Sequence, residues 1–164
     1  MPINSEDLKE QATFAAGCFW GVEAAYQSAP GVLSTAVGFM GGDLENPTYE
    51  DVCTKNTNHA EVVHIEYDPD HASYEQLLNI FWQIHNPTTL NRQGPDFGTQ
   101  YRSEIFYHND KQKEIALSSK MIQNSTDEFK GKIVTEITKA SDFYRAEEYH
   151  QKYLQKQGKG TFKF

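Results

Sequence analysis

The sequence predicts an α+β fold, a two-layer sandwich with a ferredoxin-like β-α-β-β-α-β core. Its sheet is mainly antiparallel but mixed, helices cover one face, and extra loops and helices are appended. Three observations carry this expectation. Strand-like and helix-like segments follow one another in that order along the 164 residues. Ala60 to Tyr67 alternates apolar and polar side chains, as a half-buried strand does. After Ser73, Tyr74, Leu77, Leu78, Phe81 and Trp82 recur at helical spacing.

Gln11 to Ala16 reads as a first strand, and Val22 to Gln27 as the opening of a helix. Val32 to Phe39 is β-rich, and Gly41-Gly42-Asp43 with Asn46-Pro47 then forms a loop. Asp68-Pro69-Asp70 ends the strand Ala60 to Tyr67. Ser73 with Gln76 three residues on makes a capping box, and Asn86-Pro87 stops the helix it opens. Leu90 to Gln100 is a polar, glycine-bearing loop, and Tyr101 to Tyr107 a strand. Asp110 is a candidate N-cap for a helix to about Asn124. Lys132 to Thr138 reads as a further strand, and Phe143 to Gln157 as a final amphipathic helix.

One catalytic domain, residues 1–164, is expected from the length, which is enough to bury a core without staples. Hydrophobic content of 38% and charged content of 23% are ordinary for a globular protein. The net charge of −8 argues against nucleic acid and anionic membrane surfaces as partners. The N-terminus is polar and no apolar stretch approaches membrane-spanning length, so a cytoplasmic protein is expected; a monomer is expected separately, without support from these features. The two distant cysteines, Cys18 and Cys53, make neither a disulfide framework nor a zinc site, so no metal is expected.

Gly17-Cys-Phe-Trp-Gly-Val-Glu23 is the most informative run. It puts a cysteine at a strand-to-helix junction, where unpaired N–H groups and the helix dipole favour the reactive thiolate. The plain alternative is a buried structural cysteine. Two other irregular segments carry candidates: Pro47 to Glu61, with Tyr49, Cys53, His59 and Glu61, and Arg92 to Ser103, with Asp96 and Tyr101. In isolation Glu61 reads as a solvated strand residue, Tyr49 and Tyr101 as half-buried tyrosines, and Asp96 as a turn residue.

Together these segments resemble the methionine sulfoxide reductase A family. The resemblance rests on Gly17-Cys-Phe-Trp-Gly21 with Glu23, Gly38-Phe-Met-Gly-Gly42, Asn46-Pro-Thr-Tyr49, His59-Ala-Glu61, Tyr67-Asp-Pro69, and Gln93-Gly-x-Asp-x-Gly-Thr-Gln-Tyr-Arg-Ser103. It implies reduction of methionine S-sulfoxide, free or in oxidised proteins, with Cys18 as the nucleophile that becomes a sulfenic acid. It implies Glu61 as proton donor, Tyr49 and Tyr101 as hydrogen-bond donors to the sulfoxide oxygen, and Asp96 as a partner of the substrate amide. Phe19 and Trp20 would wall the S-methyl pocket. No cofactor is implied beyond an external thiol: thioredoxin, glutaredoxin with glutathione, or dithiothreitol.

Two departures stand out. Phe39 replaces the family's usual tyrosine, and the tail Gly158 to Phe164 lacks the cysteine with which many members resolve the sulfenic acid. Cys53 is then the internal resolving candidate, with a buried structural role as the plainer reading. Competing readings are a thiol peroxidase or redox sensor, a cysteine hydrolase using His59, and an aromatic-cage binding module built on Phe19, Trp20 and tyrosines.

Overall fold

The computed structural model describes residues 9–54, 56–126, 129 and 132–158. Its elements run β1 (Glu10–Ala16), α1 (Phe19–Gln27), β2 (Val32–Met40), α2 (Tyr49–Cys53), β3 (Ala60–Tyr67) and α3 (Tyr74–Gln83). A short hairpin of β4 (Arg92–Gln93) and β5 (Asp96–Phe97) leads through a 3-10 turn, Thr99–Tyr101, into β6 (Ser103–Tyr107). Then come α4 (Asp110–Asn124), β7 (Glu136–Lys139), β8 (Tyr144–Arg145), a 3-10 turn at Glu148–His150 and α5 (Tyr153–Lys156).

The six-stranded sheet has the order β7-β6-β1-β3-β2-β8. Its four central strands are antiparallel and linked by the α1 and α3 crossovers, as the ferredoxin-like core requires; β7 alone pairs parallel, with β6. Period-2 alternation splits each central strand between two cores. Ala12, Phe14, Val63, Ile65 and Ile105 meet α1, α3 and α4 on one face. Ala15, Ala60, Val62, Met40 and Phe106 meet Ala140 and Phe143 on the other. Phe14 is central: its ring lies 5.4 Å from Tyr26, 5.9 Å from Tyr74 and 5.5 Å from Phe81. A ring so enclosed contributes roughly 3–5 kcal/mol relative to alanine.

Helix α3 starts at the expected capping box, with Ser73 and Gln76 bonded reciprocally. Helix α4 is capped one residue earlier than expected, by Asn109, whose side chain accepts the Gln112 N–H at 2.9 Å. The strand expected over Lys132 to Thr138 begins only at Glu136. Before that, the Ile133 N–H donates to the Asn124 side chain and the Val134 N–H to the Pro87 carbonyl. Those partners hold the chain against α4 and the end of α3 rather than against β6.

The helix expected over Phe143 to Gln157 is replaced by β8, a 3-10 turn and the single turn of α5. Tertiary hydrogen bonds outweigh local periodicity here. The Ala146 N–H donates to the Val37 carbonyl, and the Gln151 amide then acts as one more ladder rung. It accepts the Val37 N–H at 2.8 Å and donates to the Val37 and Ala146 carbonyls at 2.9 Å. Gly38 permits this closure, since a Cβ there would lie 2.3 Å from the Tyr144 carbonyl oxygen. Beyond it, Lys152 turns left-handed at φ 53° and donates its N–H to the buried Glu23 carboxylate. Residues 159–164, most of the tail without a cysteine, lie outside the described residues. Among the described residues no helix is long and apolar enough to cross a membrane.

Candidate active site

Cys18 sits between β1 and α1, as the N-cap residue of the helix. Gly17 makes the junction with φ 98°, a conformation that L side chains rarely adopt. The N–H groups of Trp20 and Gly21 point to the Cys18 sulfur and favour its anion. Burial works against them and is the larger effect, so the Cys18 pKa is pushed up to about 11. The expected resting thiolate is therefore corrected: the helix N-terminus is present, but desolvation, with the Asp96 charge adding to it, keeps Cys18 a thiol at neutral pH.

Glu61 stands opposite Phe39 in the β2–β3 ladder, and its place in the strand's alternation puts it on the helix side with Val63 and Ile65. It is 1% exposed rather than solvated. Its Oε1 accepts the Phe19 N–H at 3.3 Å, and Oε2 has no partner among the described residues. Burial first, and the Asp96 charge after it, push its pKa up to about 8. Glu61 therefore carries a proton at neutral pH, next to the other proton held on Cys18.

The remaining candidates converge on these two groups. Burial raises the Tyr101 pKa to about 12, helped by the charges of Glu61, Cys53, Asp96 and Cys18. Tyr49, the first residue of α2, is also raised by burial and lies within hydrogen-bonding reach of Cys53 four residues on. Both phenols remain donors throughout the working pH range. Asp96, Cys18, Gly21, Val22, Ile84 and Gln93 line an open cleft of about 280 Å³. Phe19 is buried, packed against Phe39 and Tyr49, while Trp20 is half-exposed with its indole stacked 3.8 Å from the Tyr153 ring. Cys53 is an exposed free thiol at the end of α2, which rules out the buried structural reading. His59 lies apart, bonded between the Leu44 carbonyl and the Gly42 N–H.

Helix α2 has no counterpart among the elements expected from the sequence. Thr48 and Asp51 form its capping box, and the Glu147 carboxylate accepts the Tyr49 N–H at 3.2 Å. His150 is also new to the site. Its Nδ1 accepts the Trp20 indole N–H at 2.9 Å, and its ring centroid lies 4.3 Å from that of Tyr49. Glu147 and His150 fall inside the stretch that reads as a final helix, so no face of it could be aimed at the cleft. Gln93 is the third: its stem backs onto Gly17, and its amide pairs with the Asn86 backbone. The Gly-x-Asp-x-Gly loop signal points to that neighbourhood without singling out Gln93.

A nucleophilic sulfur at the cleft wall, a buried carboxylic acid on the neighbouring Phe19 N–H, and two phenols close enough to feel that carboxyl suit attack on a polarised X–O bond with proton delivery to the oxygen. The family model described as "Peptide methionine sulfoxide reductase" matches residues 10–164. A relative from Methanothermobacter thermautotrophicus, peptide methionine sulfoxide reductase MsrA, is 60% identical over 147 residues, covering 90% of this chain and 87% of its own. Mxr1 of Saccharomyces cerevisiae in reduced form superposes with TM-score 0.84 at 37% identity, covering 94% of this chain and 88% of that one. Mxr1 in complex with Trx2 gives TM-score 0.62 at 25% identity, covering 93% and 89%.

Proposed function

The chain belongs to the peptide methionine sulfoxide reductase family, and we propose that Cys18 and Glu61 carry out its thiol-dependent reduction of methionine sulfoxide. The observation that carries this assignment is the buried Glu61 carboxyl, its Oε1 on the Phe19 N–H next to Cys18 and its Oε2 without a partner among the described residues. The substrate is the S epimer, free or within an oxidised protein. Its oxygen takes the place at Glu61 Oε2, with the Tyr49 and Tyr101 hydroxyls as further donors.

Glu61 protonates the sulfoxide oxygen as the Cys18 sulfur attacks the sulfoxide sulfur. The thiol proton passes to the Glu61 carboxylate, restoring the acid. The substrate sulfur gains two electrons and leaves as methionine; the Cys18 sulfur loses two and keeps the oxygen as a sulfenic acid. Asp96 orients the substrate amide from the cleft wall, and Trp20, held by His150 and Tyr153, borders the methyl group. An external thiol then returns Cys18 to its starting state. A thioredoxin-class donor is supported by the Mxr1–Trx2 complex, and a glutaredoxin or glutathione route by the lack of any third cysteine in the sequence.

Separate turnover of the two epimers of an N-acetylated methionine sulfoxide, with dithiothreitol as reductant, tests this reading. Reduction of the S epimer alone is expected, lost in Cys18→Ser. Equal use of both epimers, or turnover without Cys18, contradicts it.

A further inference from the structure

We propose that Arg102 is a positioning residue for the reaction: with Glu104 it locks the turn that sets the Tyr101 hydroxyl. The inference rests on Tyr101 acting as proposed above. Tyr49 is held by its surroundings, with ring contacts to Phe19 and His150. Among the described residues no aromatic ring packs on Tyr101, and its hydroxyl has no hydrogen bond. Its position is set by the backbone of the 3-10 turn Thr99–Tyr101, between the β4–β5 hairpin and β6.

That turn is fastened at the Thr99 carbonyl. The carbonyl accepts the Arg102 backbone N–H at 3.2 Å and the Arg102 Nη1–H at 3.0 Å. The guanidinium is itself held, donating from Nε to Glu104 Oε1 at 2.7 Å. Glu104 is 3% exposed, and its Oε2 accepts the Thr138 hydroxyl at 2.6 Å, so the anchor reaches across the sheet into β7. Gly41 leaves room for this route, since a Cβ there would lie 3.1 Å from Arg102 Nη2. A planar fork that bridges two fixed acceptors is a task for arginine. The buried pair is a weak source of stability for its cost, which suits a role in setting geometry.

The test is a two-by-two cycle of single-turnover rates on N-acetylmethionine S-sulfoxide: wild type, Tyr101→Phe, Arg102→Met and the double variant. If Arg102 acts through the Tyr101 hydroxyl, Arg102→Met slows the step about ten- to a hundredfold when Tyr101 is intact. In the Tyr101→Phe background it slows the step by less than about twofold, because the hydroxyl it aims is already gone. KM should stay within about twofold, since the aimed hydrogen bond strengthens only as charge develops. Equal slowing in both backgrounds overturns the inference while leaving the Tyr101 reading intact. A normal rate in Tyr101→Phe overturns both. Should Arg102→Met fail to fold, Glu104→Gln takes its place in the cycle. There the same background dependence is expected with a smaller slowing, and additivity refutes the inference.

Discussion

The unpartnered Oε2 of Glu61, buried at the end of β3, is where structure and chemistry meet most closely. Glu61→Gln keeps the shape and the Phe19 contact but cannot deliver a proton. Single-turnover reduction should slow by roughly a hundred- to ten-thousandfold, read by rapid quench. The wild-type rate should be flat below neutrality and fall as pH rises through about 8, where Glu61 loses its proton. A stability effect follows with a definite sign. A carboxyl near 4.5 in the unfolded chain rises to about 8 when folded, so the folded state binds the proton more tightly. Its contribution is complete below about 4.5 and is lost as pH climbs toward 8. Thermal melts should therefore show Glu61→Gln gaining on wild type as pH rises across that window. The motif at Glu61 was legible in the sequence; its proton was not, because the shift comes from burial by elements distant in the chain. The same burial defeated the thiolate expected at Cys18, where local helix geometry was visible and the enclosing walls were not.

At the scale of elements, the junction from β1 to α1 does the aiming. A Cβ at Gly17 would meet Gln93 Cγ at 2.7 Å and force a side chain into φ 98°. Gly17→Ala should cost ~1–3 kcal/mol in chemical denaturation, with a further loss of turnover because the Cys18 sulfur is displaced. A variant as stable and as active as wild type would show that the junction tolerates a side chain. The central strands and α3 were legible because alternation and a capping box are local signals that tertiary packing reinforces. The C-terminal segment was not. Residues such as Gln151 and Lys152 spend their polar groups on β2 and α1, and His150 spends its ring nitrogen on Trp20. Helical periodicity describes none of those partners.

On the scale of the whole molecule, the ferredoxin-like sheet brings together residues far apart in sequence: Cys18 after β1, Tyr49 in α2, Glu61 in β3, and Asp96 and Tyr101 before β6. The acidic chain, net charge −8, offers a thiolate no general support, so its reactivity must be generated inside the cleft. Cys53 stands exposed beside Tyr49 and is not paired with Cys18. We therefore expect the oxidised sulfur to wait for an external thiol, with thioredoxin and glutathione systems compared as donors by steady-state turnover. The central claim, that oxygen passes from substrate to Cys18, is tested most directly by mass spectrometry after one equivalent of methionine S-sulfoxide is added without reductant. The account predicts one methionine released per protein, one oxygen on Cys18 captured by a sulfenic-acid trap, and Cys53 still a free thiol. Methionine formed with Cys18 unmodified would contradict it, whereas both thiols lost to a Cys18–Cys53 disulfide would overturn only the expectation that an external thiol is needed.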